Sequence, residues 1–274
     1  MPFYTDQLNR KIELTFPPKR IVSLVPSQTE LLYDIGLRDE VVGITKFCIH
    51  PDEWFHSKIK VGGTKKIDFD KIKQLNPDLI IGNKEENEKD QIEHLMKDYK
   101  VWLSDIYTLK DALNMITQVG TLVGKQQEST ILKLQIEAAF NSFNFELLTL
   151  NLPTGQAGSK LKTAYFIWRK PFMAAGNNTF INDMLKRCGL SNVFDSAHFA
   201  RYPQISSEQI AAAKPELILL SSEPYPFKEK HIKEFQAICP DAKIRIVDGE
   251  LFSWYGSRLL KTPPYFGTIR EMEI

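Results

Sequence analysis

Cys48 and His50 stand two residues apart between Lys46 and Pro51. On an extended loop that spacing points both side chains the same way, as a thiol–imidazole nucleophile would require. The competing reading, a small cysteine packed beneath its loop, is favoured by the rest of the chain. There is no GxGxxG, no GxxxxGK[ST] and no GxSxG stretch to supply a phosphate cradle or a nucleophile elbow. The five histidines are His50, His56, His94, His198 and His231. Of these, only His50 and His198 fall in loops that suit a site, whereas His94 and His231 fall in helical stretches and are expected to be solvated. A bare metal site would need several histidines and carboxylates to converge, which this distribution does not offer. The three cysteines, Cys48, Cys188 and Cys239, are odd in number and widely spaced, so they form neither a disulfide framework nor a zinc knuckle. Cys188 is expected in the core, and Cys239, before Pro240 at a helix end, is expected to be structural as well. The denser signal is aromatic. Loops after strands hold Pro26-Ser27-Gln28, then Phe47 with His50, then Trp168, Arg169 and Phe172, then Phe252, Trp254 and Tyr255. Flat apolar faces beside a few polar groups are the chemistry of small-molecule binding.

The elements that must position these loops alternate. Residues 20–26 read as a buried strand, and Ser27-Gln-Thr-Glu30 as a capping box opening a helix that ends at Gly36. Strands are expected at Val41–Thr45, Leu79–Ile81 and Val101–Leu103, with helices at Asp68–Leu75, Glu86–Tyr99 and Thr108–Val123, and a turn at Gly62-Gly63. Residues from Gln126 to about Leu148 have no internal Gly or Pro; as one helix they would span roughly 35 Å. A polar loop follows over Asn151–Lys160. A strand is then expected at Thr163–Trp168, a helix at Thr179–Cys188, a second capping box at Ser206-Ser-Glu-Gln209, and strands at Leu217–Leu220 and Ile244–Val247. Pro263 and Pro264 argue against a long helix at the C-terminal end.

The chain also repeats itself. Residues 71–83, Lys-Ile-Lys-Gln-Leu-Asn-Pro-Asp-Leu-Ile-Ile-Gly-Asn, are echoed by residues 209–221, Gln-Ile-Ala-Ala-Ala-Lys-Pro-Glu-Leu-Ile-Leu-Leu-Ser. Upstream, Thr29–Leu37 is echoed by Thr179–Leu190, both ending in Gly-Leu. The echoes keep their order. The reading is therefore α/β: two Rossmann-like lobes with parallel sheets, residues 1–125 and 151–274, bridged by a long helix over 126–150, with a ligand cleft between the lobes. Bulk composition excludes other classes. With 274 residues and 35 basic against 34 acidic side chains, the chain has no nucleic-acid footprint. No apolar run approaches the roughly 20 residues that span a bilayer.

In this order the segments resemble a known family. They are Arg20-Ile-Val-Ser-Leu-Val-Pro-Ser-Gln-Thr-Glu-Leu-Leu32, Val41-Val-Gly-Ile-Thr45 with Cys48 and Pro51, Val61-Gly-Gly-Thr64, Asn76-Pro-Asp-Leu-Ile80, Trp168-Arg-Lys-Pro-Phe-Met-Ala-Ala-Gly176, Tyr202-Pro-Gln-Ile-Ser206, Pro215-Glu-Leu-Ile-Leu-Leu-Ser-Ser-Glu-Pro224 and Asp248-Gly-Glu250. Together they resemble the class III substrate-binding proteins of ABC importers, the cobalamin, siderophore and haem group, and most of all its cobalamin-binding branch. The resemblance implies a binder and not an enzyme, with no cofactor of its own. It implies cobalamin or a related corrinoid as ligand, and a permease and its ATPase as partners of a monomer. The ligand-facing residues would be Phe47, His50, Trp168, Arg169, Phe172, Tyr202, Trp254 and Arg258. Tyr202 matches a position where the cobalamin binders carry an aromatic ring. Arg169 and Arg258 would meet fringe carbonyls or brace their loops. In this family a glutamate on each lobe meets permease arginines, which here points to Glu86 or Glu88 and to Glu208.

Two departures narrow the reading. Where cobalamin binders can place an aromatic after the strand ending at Ile81, this chain has Gly82-Asn83. Where haem carriers offer Tyr or His after the double glycine, it has Thr64-Lys65, which does not ligate iron. A ferric siderophore would seek Arg169, Arg201 or Arg258, because arginine offers forked donors. The family implies a periplasmic location. The N-terminal Met-Pro-Phe-Tyr-Thr-Asp lacks a basic patch followed by an apolar core, which leaves a cytoplasmic relative as the other expectation.

Overall fold

The computed structural model describes residues 2–149 and 160–271. Its contacts divide the chain into two units. The first comprises Met1–Ile106, Lys110–Ala138 and Trp254–Leu260; the second comprises Tyr107–Leu109, Ala139–Ser253 and Lys261–Ile274. The expected polar loop over 151–159 lies outside the described residues.

In the first unit, β1 (Phe3–Thr5) and β2 (Lys11–Glu13) form an antiparallel pair. Then follow β3 (Ile21–Ser23), α1 (Pro26–Asp34), β4 (Val41–Ile44), α2 (Asp52–Ser57), β5 (Ile59–Lys60), α3 (Phe69–Leu75), β6 (Leu79–Asn83), α4 (Lys89–Leu95), β7 (Val101–Ser104), α5 (Leu109–Leu122) and α6 (Gln126–Thr149). Helix α5 belongs to this unit from Lys110, and α6 as far as Ala138. The sheet order is β5-β4-β3-β6-β7, all parallel. Strand order therefore reverses between β3 and β6, and ligands of such sheets bind outside the carboxyl ends of the strands near that reversal. Val22, Leu24, Ile72, Ile80 and Leu103 are among the residues that close the core on one side of this sheet.

In the second unit, β8 (Leu161–Trp168), β9 (Met173–Ala174), α7 (Phe180–Arg187), β10 (Leu190–Asn192), α8 (Ser207–Ala213), β11 (Leu217–Ser221), α9 (Glu229–Ile238), β12 (Lys243–Val247), α10 (Glu250–Ser253) and α11 (Thr262–Glu271) follow in turn. The order β10-β8-β11-β12 is again parallel, with β9 antiparallel on β8. Ala164, Phe166, Ile218, Leu220 and Phe235 lie at the heart of its core.

The repeat has a structural cause. Asn76 and Lys214 end α3 and α8 in the left-handed region, at φ 42° and 46°. A proline then prevents the helix from resuming. The acid after it splices into the sheet. Asp78 donates its N–H to Arg20 O and accepts from Lys19 N and Arg20 N; Glu216 donates to Lys162 O and accepts from Lys162 N.

Four expectations are corrected. Ser27-Gln-Thr-Glu30 is not a capping box: α1 starts two residues earlier, at Pro26, with Val25 as a cap that makes no side-chain bond. Proline suits that first position because its missing N–H would have had no helical partner. The helix expected over Glu86–Tyr99 is only Lys89–Leu95, since Glu85 and Glu86 donate their N–H groups to Asn83 Oδ1 and remain in a turn. Pro263 and Pro264 do not prevent a helix. They occupy the first turn of α11, where orphan positions tolerate them. His231 is not solvated: it is buried at the start of α9.

Candidate functional site

The strand-end loops carry the candidate residues. In the first unit the loop after β4 is pinned by Lys46 N–H to Gly62 O at 2.8 Å and Cys48 N–H to Thr45 O at 3.1 Å. Cys48 turns inward. Its Sγ lies 3.1 Å from both Thr29 Oγ1 and Thr45 Oγ1, and burial pushes the thiol above its ordinary range. A sulfur held there as a buried thiol is a poor nucleophile. Phe47 turns outward, 51% exposed, with Lys46 Nζ 5.1 Å from its ring centroid. Gly63 lies beneath that ring, where an added Cβ would stand 3.0 Å from Phe47 Cε2.

His50 meets Trp254 edge-on, with ring centroids 5.5 Å apart. Trp254 is buried, and the Arg258 guanidinium lies 4.8 Å from its centroid. Arg258 is itself held by Glu30, with Nε donating to Oε2 and Nη2 to Oε1, both at 2.8 Å. Of the two roles expected for Arg258, the bracing contact is the one seen.

Beside the reversal between β3 and β6 lies a buried amide network. Gln28 Nε2 donates to Ser104 Oγ at 2.5 Å, and Asn83 Nδ2 donates to the same oxygen at 2.9 Å. Asn87 Oδ1 accepts from Asn83 N–H at 2.9 Å. This is where Asn83 stands in place of an aromatic. Gly82 before it leaves room for Asn87 and Leu103, which an added Cβ would meet at 2.8 and 2.9 Å.

In the second unit Trp168 ends β8 and is 40% exposed. Its partner is Tyr225, with centroids 5.6 Å apart. Arg169 forks onto Glu234, Nε to Oε2 at 2.6 Å and Nη2 to Oε1 at 3.3 Å. Phe172 packs on Phe166 and Phe235, so most of its ring serves the core. Tyr202 is brought beside this loop by backbone pairing: Ile205 N–H to Phe172 O, Ala174 N–H to Pro203 O and Gly176 N–H to Arg201 O, at 2.8–3.1 Å. Arg201 lies over Tyr107 at 4.6 Å and near Tyr202 at 5.8 Å. Trp168, Arg169, Phe172 and Tyr202 thus converge on one end of this sheet. Phe252 does not join them, being buried against Tyr165 and Phe266.

Sequence reasoning missed Tyr225, His231, Glu234 and Glu30. His231 Nδ1 accepts the Lys228 N–H at 2.9 Å, and its Nε2 lies 3.4 Å from Tyr225 Oη. Desolvation, then the Arg169 charge, holds its pKa below the usual histidine value. No periodicity marks such residues; only the apolar setting of Glu30 in Thr-Glu-Leu-Leu hinted at a buried partner.

The three acids expected to dock a partner are placed differently. Glu208 is exposed on the first turn of α8, and a hydrogen bond from Ser206 holds its carboxyl below the usual range. Glu88 is exposed, 3.5 Å from Lys65 Nζ. Glu86 is half-buried in the turn after β6. Among the described residues no group of three or more His, Cys, Asp or Glu side chains is arranged to hold a metal ion, and no helix is long and apolar enough to cross a membrane.

Residues 21–237 match the periplasmic binding protein family. A vitamin B12-binding protein of Vibrio vulnificus (strain CMCP6) is 29% identical over 212 residues, covering 75% of this chain and 72% of that one. In fold, the chain is similar to the periplasmic vitamin B12 binding protein BtuF of Vibrio cholerae, with a TM-score of 0.75, 21% identity and coverage of 94% of this chain and 98% of that one. It is also similar to a periplasmic heme binding protein of Pseudomonas aeruginosa, with a TM-score of 0.78, 18% identity and 92% of each chain covered. The chain belongs to the periplasmic binding protein family, as a class III substrate-binding protein of the ABC-importer type.

Proposed function

We propose that this protein binds a corrinoid of the cobalamin type outside the cytoplasm and delivers it to an ABC permease. The observation that carries the reading is the two exposed rings, Phe47 on the loop after β4 and Trp168 at the last position of β8, each at the carboxyl end of a parallel strand. The similarity to vitamin B12-binding proteins supports it. A corrinoid is a broad, partly apolar macrocycle fringed with amides. Stacking and burial of its apolar surface would contribute roughly 25 cal/mol per Å² before association costs. Phe47, His50 and Trp254 in the first unit, and Trp168, Phe172 and Tyr202 in the second, are the ligand-facing or wall-forming groups of this reading. Arg169 and Arg258 brace them. A ferric siderophore is less well served, because the guanidiniums of Arg169 and Arg258 are already engaged by Glu234 and Glu30, and Arg201 Nε donates to Asn178 O. Haem is less well served because Thr64-Lys65 offers no iron ligand. Glu208, with Glu86 or Glu88, is the permease contact.

The test is a panel. Purified protein is mixed with cyanocobalamin, cobinamide, a ferric siderophore or haem, desalted, and read by its absorption spectrum. Corrinoid should co-elute, and Trp168→Ala and Tyr202→Ala should weaken its retention. Retention of siderophore but not corrinoid, lost on Arg169→Ala, would overturn the assignment.

A further inference from the structure

Residues 254–260 lie along α1 and are fastened to it at three points. Gly256 approaches so closely that an added Cβ would stand 2.4 Å from Ser27 O. Ser257 Oγ donates to the Asp34 carboxylate. Arg258 forks onto Glu30. Residues 27, 30 and 34 are three and four apart, so the three contacts share one face of the helix.

The middle contact differs in kind. Glu30 and Arg258 are each only 8% exposed. Desolvation largely cancels the attraction within such a pair, so it is a weak source of net stability; its better-attested use is to select one arrangement over others. The group it arranges is Trp254. The guanidinium that Glu30 holds faces the indole, and the His50 ring meets the same indole edge-on. His50 comes from the β4 loop that also presents Phe47. The chain of contacts therefore runs from a carboxylate inside α1, through a guanidinium, to an aromatic pair at the carboxyl end of the sheet.

We propose that Glu30 and Arg258 are positioning residues for the aromatic wall of the first unit. The ion pair fixes the guanidinium, the guanidinium fixes the plane of Trp254, and Trp254 orients His50. Glu30 acts without touching ligand. The affinity part of this inference rests on the corrinoid reading above; the geometric part does not.

The experiment uses the full chain and Glu30→Gln, which keeps shape but removes the charge. Emission and acrylamide quenching of Trp254 are isolated by subtracting the Trp254→Phe protein, with and without the Glu30 change. Glu30→Gln should keep the far-UV spectrum and cooperative unfolding, yet shift Trp254 emission to the red and raise its quenching about twofold or more, as expected when a buried aromatic gains solvent. Cyanocobalamin affinity should fall about tenfold in the wild-type background but less than about twofold in a Trp254→Ala background, because residues acting in series are not additive. Unchanged Trp254 emission and quenching, or an equal affinity loss in both backgrounds, would overturn the proposal. If wild-type protein binds no corrinoid while the emission responds as stated, the ligand reading fails and the positioning role stands. Should Glu30→Gln not fold, Arg258→Lys, which keeps the charge but not the planar fork, is read the same way.

Discussion

Arg258 and His231 are the two side chains whose surroundings most constrain what substitution can do. Replacing Arg258 by Ala would leave Glu30 charged, buried and unpaired. That should cost about 3–5 kcal/mol in urea unfolding, whereas Glu30→Leu with Arg258→Met should recover most of the loss. A single-mutant cost below about 1 kcal/mol would mean that the pair is wetter than its burial indicates. Burial, and then Arg169, disfavour the charged form of His231. Its folded pKa lies below the unfolded value of about 6.5. The unfolded chain therefore binds the extra proton first on acidification. The stability tied to this residue is complete above about pH 6.5 and is lost as pH falls through the lower folded pKa. The Tm of the wild type should accordingly drop below about pH 6.5 more steeply than that of His231→Gln, in which the amide oxygen can still accept the Lys228 N–H. Parallel Tm–pH curves for the two proteins would contradict this account.

At the scale of elements, Gly120 of α5 packs closely on Ser129 of α6. A Cβ at residue 120 would stand 1.9 Å from Ser129 Oγ and 2.9 Å from Lys125 O. Gly120→Ala should gain helix propensity yet destabilise by about 1–3 kcal/mol through overpacking, measured by chemical unfolding. A gain in stability would show that the two helices part easily. The same scale shows what could be read from the chain. Ser206 with Gln209 is a capping box, as its spacing indicates, and α6 runs on from Gln126 because nothing interrupts it. Ser27 with Glu30 has the same spacing and fails. There the glutamate is drawn to Arg258, 228 residues away, a distance at which local pattern carries no information. That Phe47 and Trp168 follow or end strands was legible from the pattern of apolar runs, while their exposure is seen only in the fold. The burial of Trp254 and the pairing of Arg169 with Glu234 were not legible, since both depend on tertiary partners. The short α2 and β5 were missed because six and two residues carry too little periodicity.

At the scale of the molecule, an internal repeat yields two units with the same device: a parallel sheet whose strand order reverses and whose carboxyl end holds aromatic groups. The rest of the function requires a partner. If Glu208 with Glu86 or Glu88 docks a permease, Glu208→Lys with Glu86→Lys should lower uptake several-fold in a reconstituted transporter, by removing two charge pairs, and leave ligand affinity unchanged. Loss of both properties together, or of neither, would contradict the docking role. The central claim is tested most directly by an equilibrium titration of the purified protein with cyanocobalamin, followed by tryptophan emission. The corrin absorbs where tryptophan emits, so a ligand near Trp168 and Trp254 must quench. The account predicts saturable one-to-one quenching with a Kd at or below the micromolar range, about −8 kcal/mol or more favourable. A linear, unsaturated response up to millimolar cobalamin would contradict it.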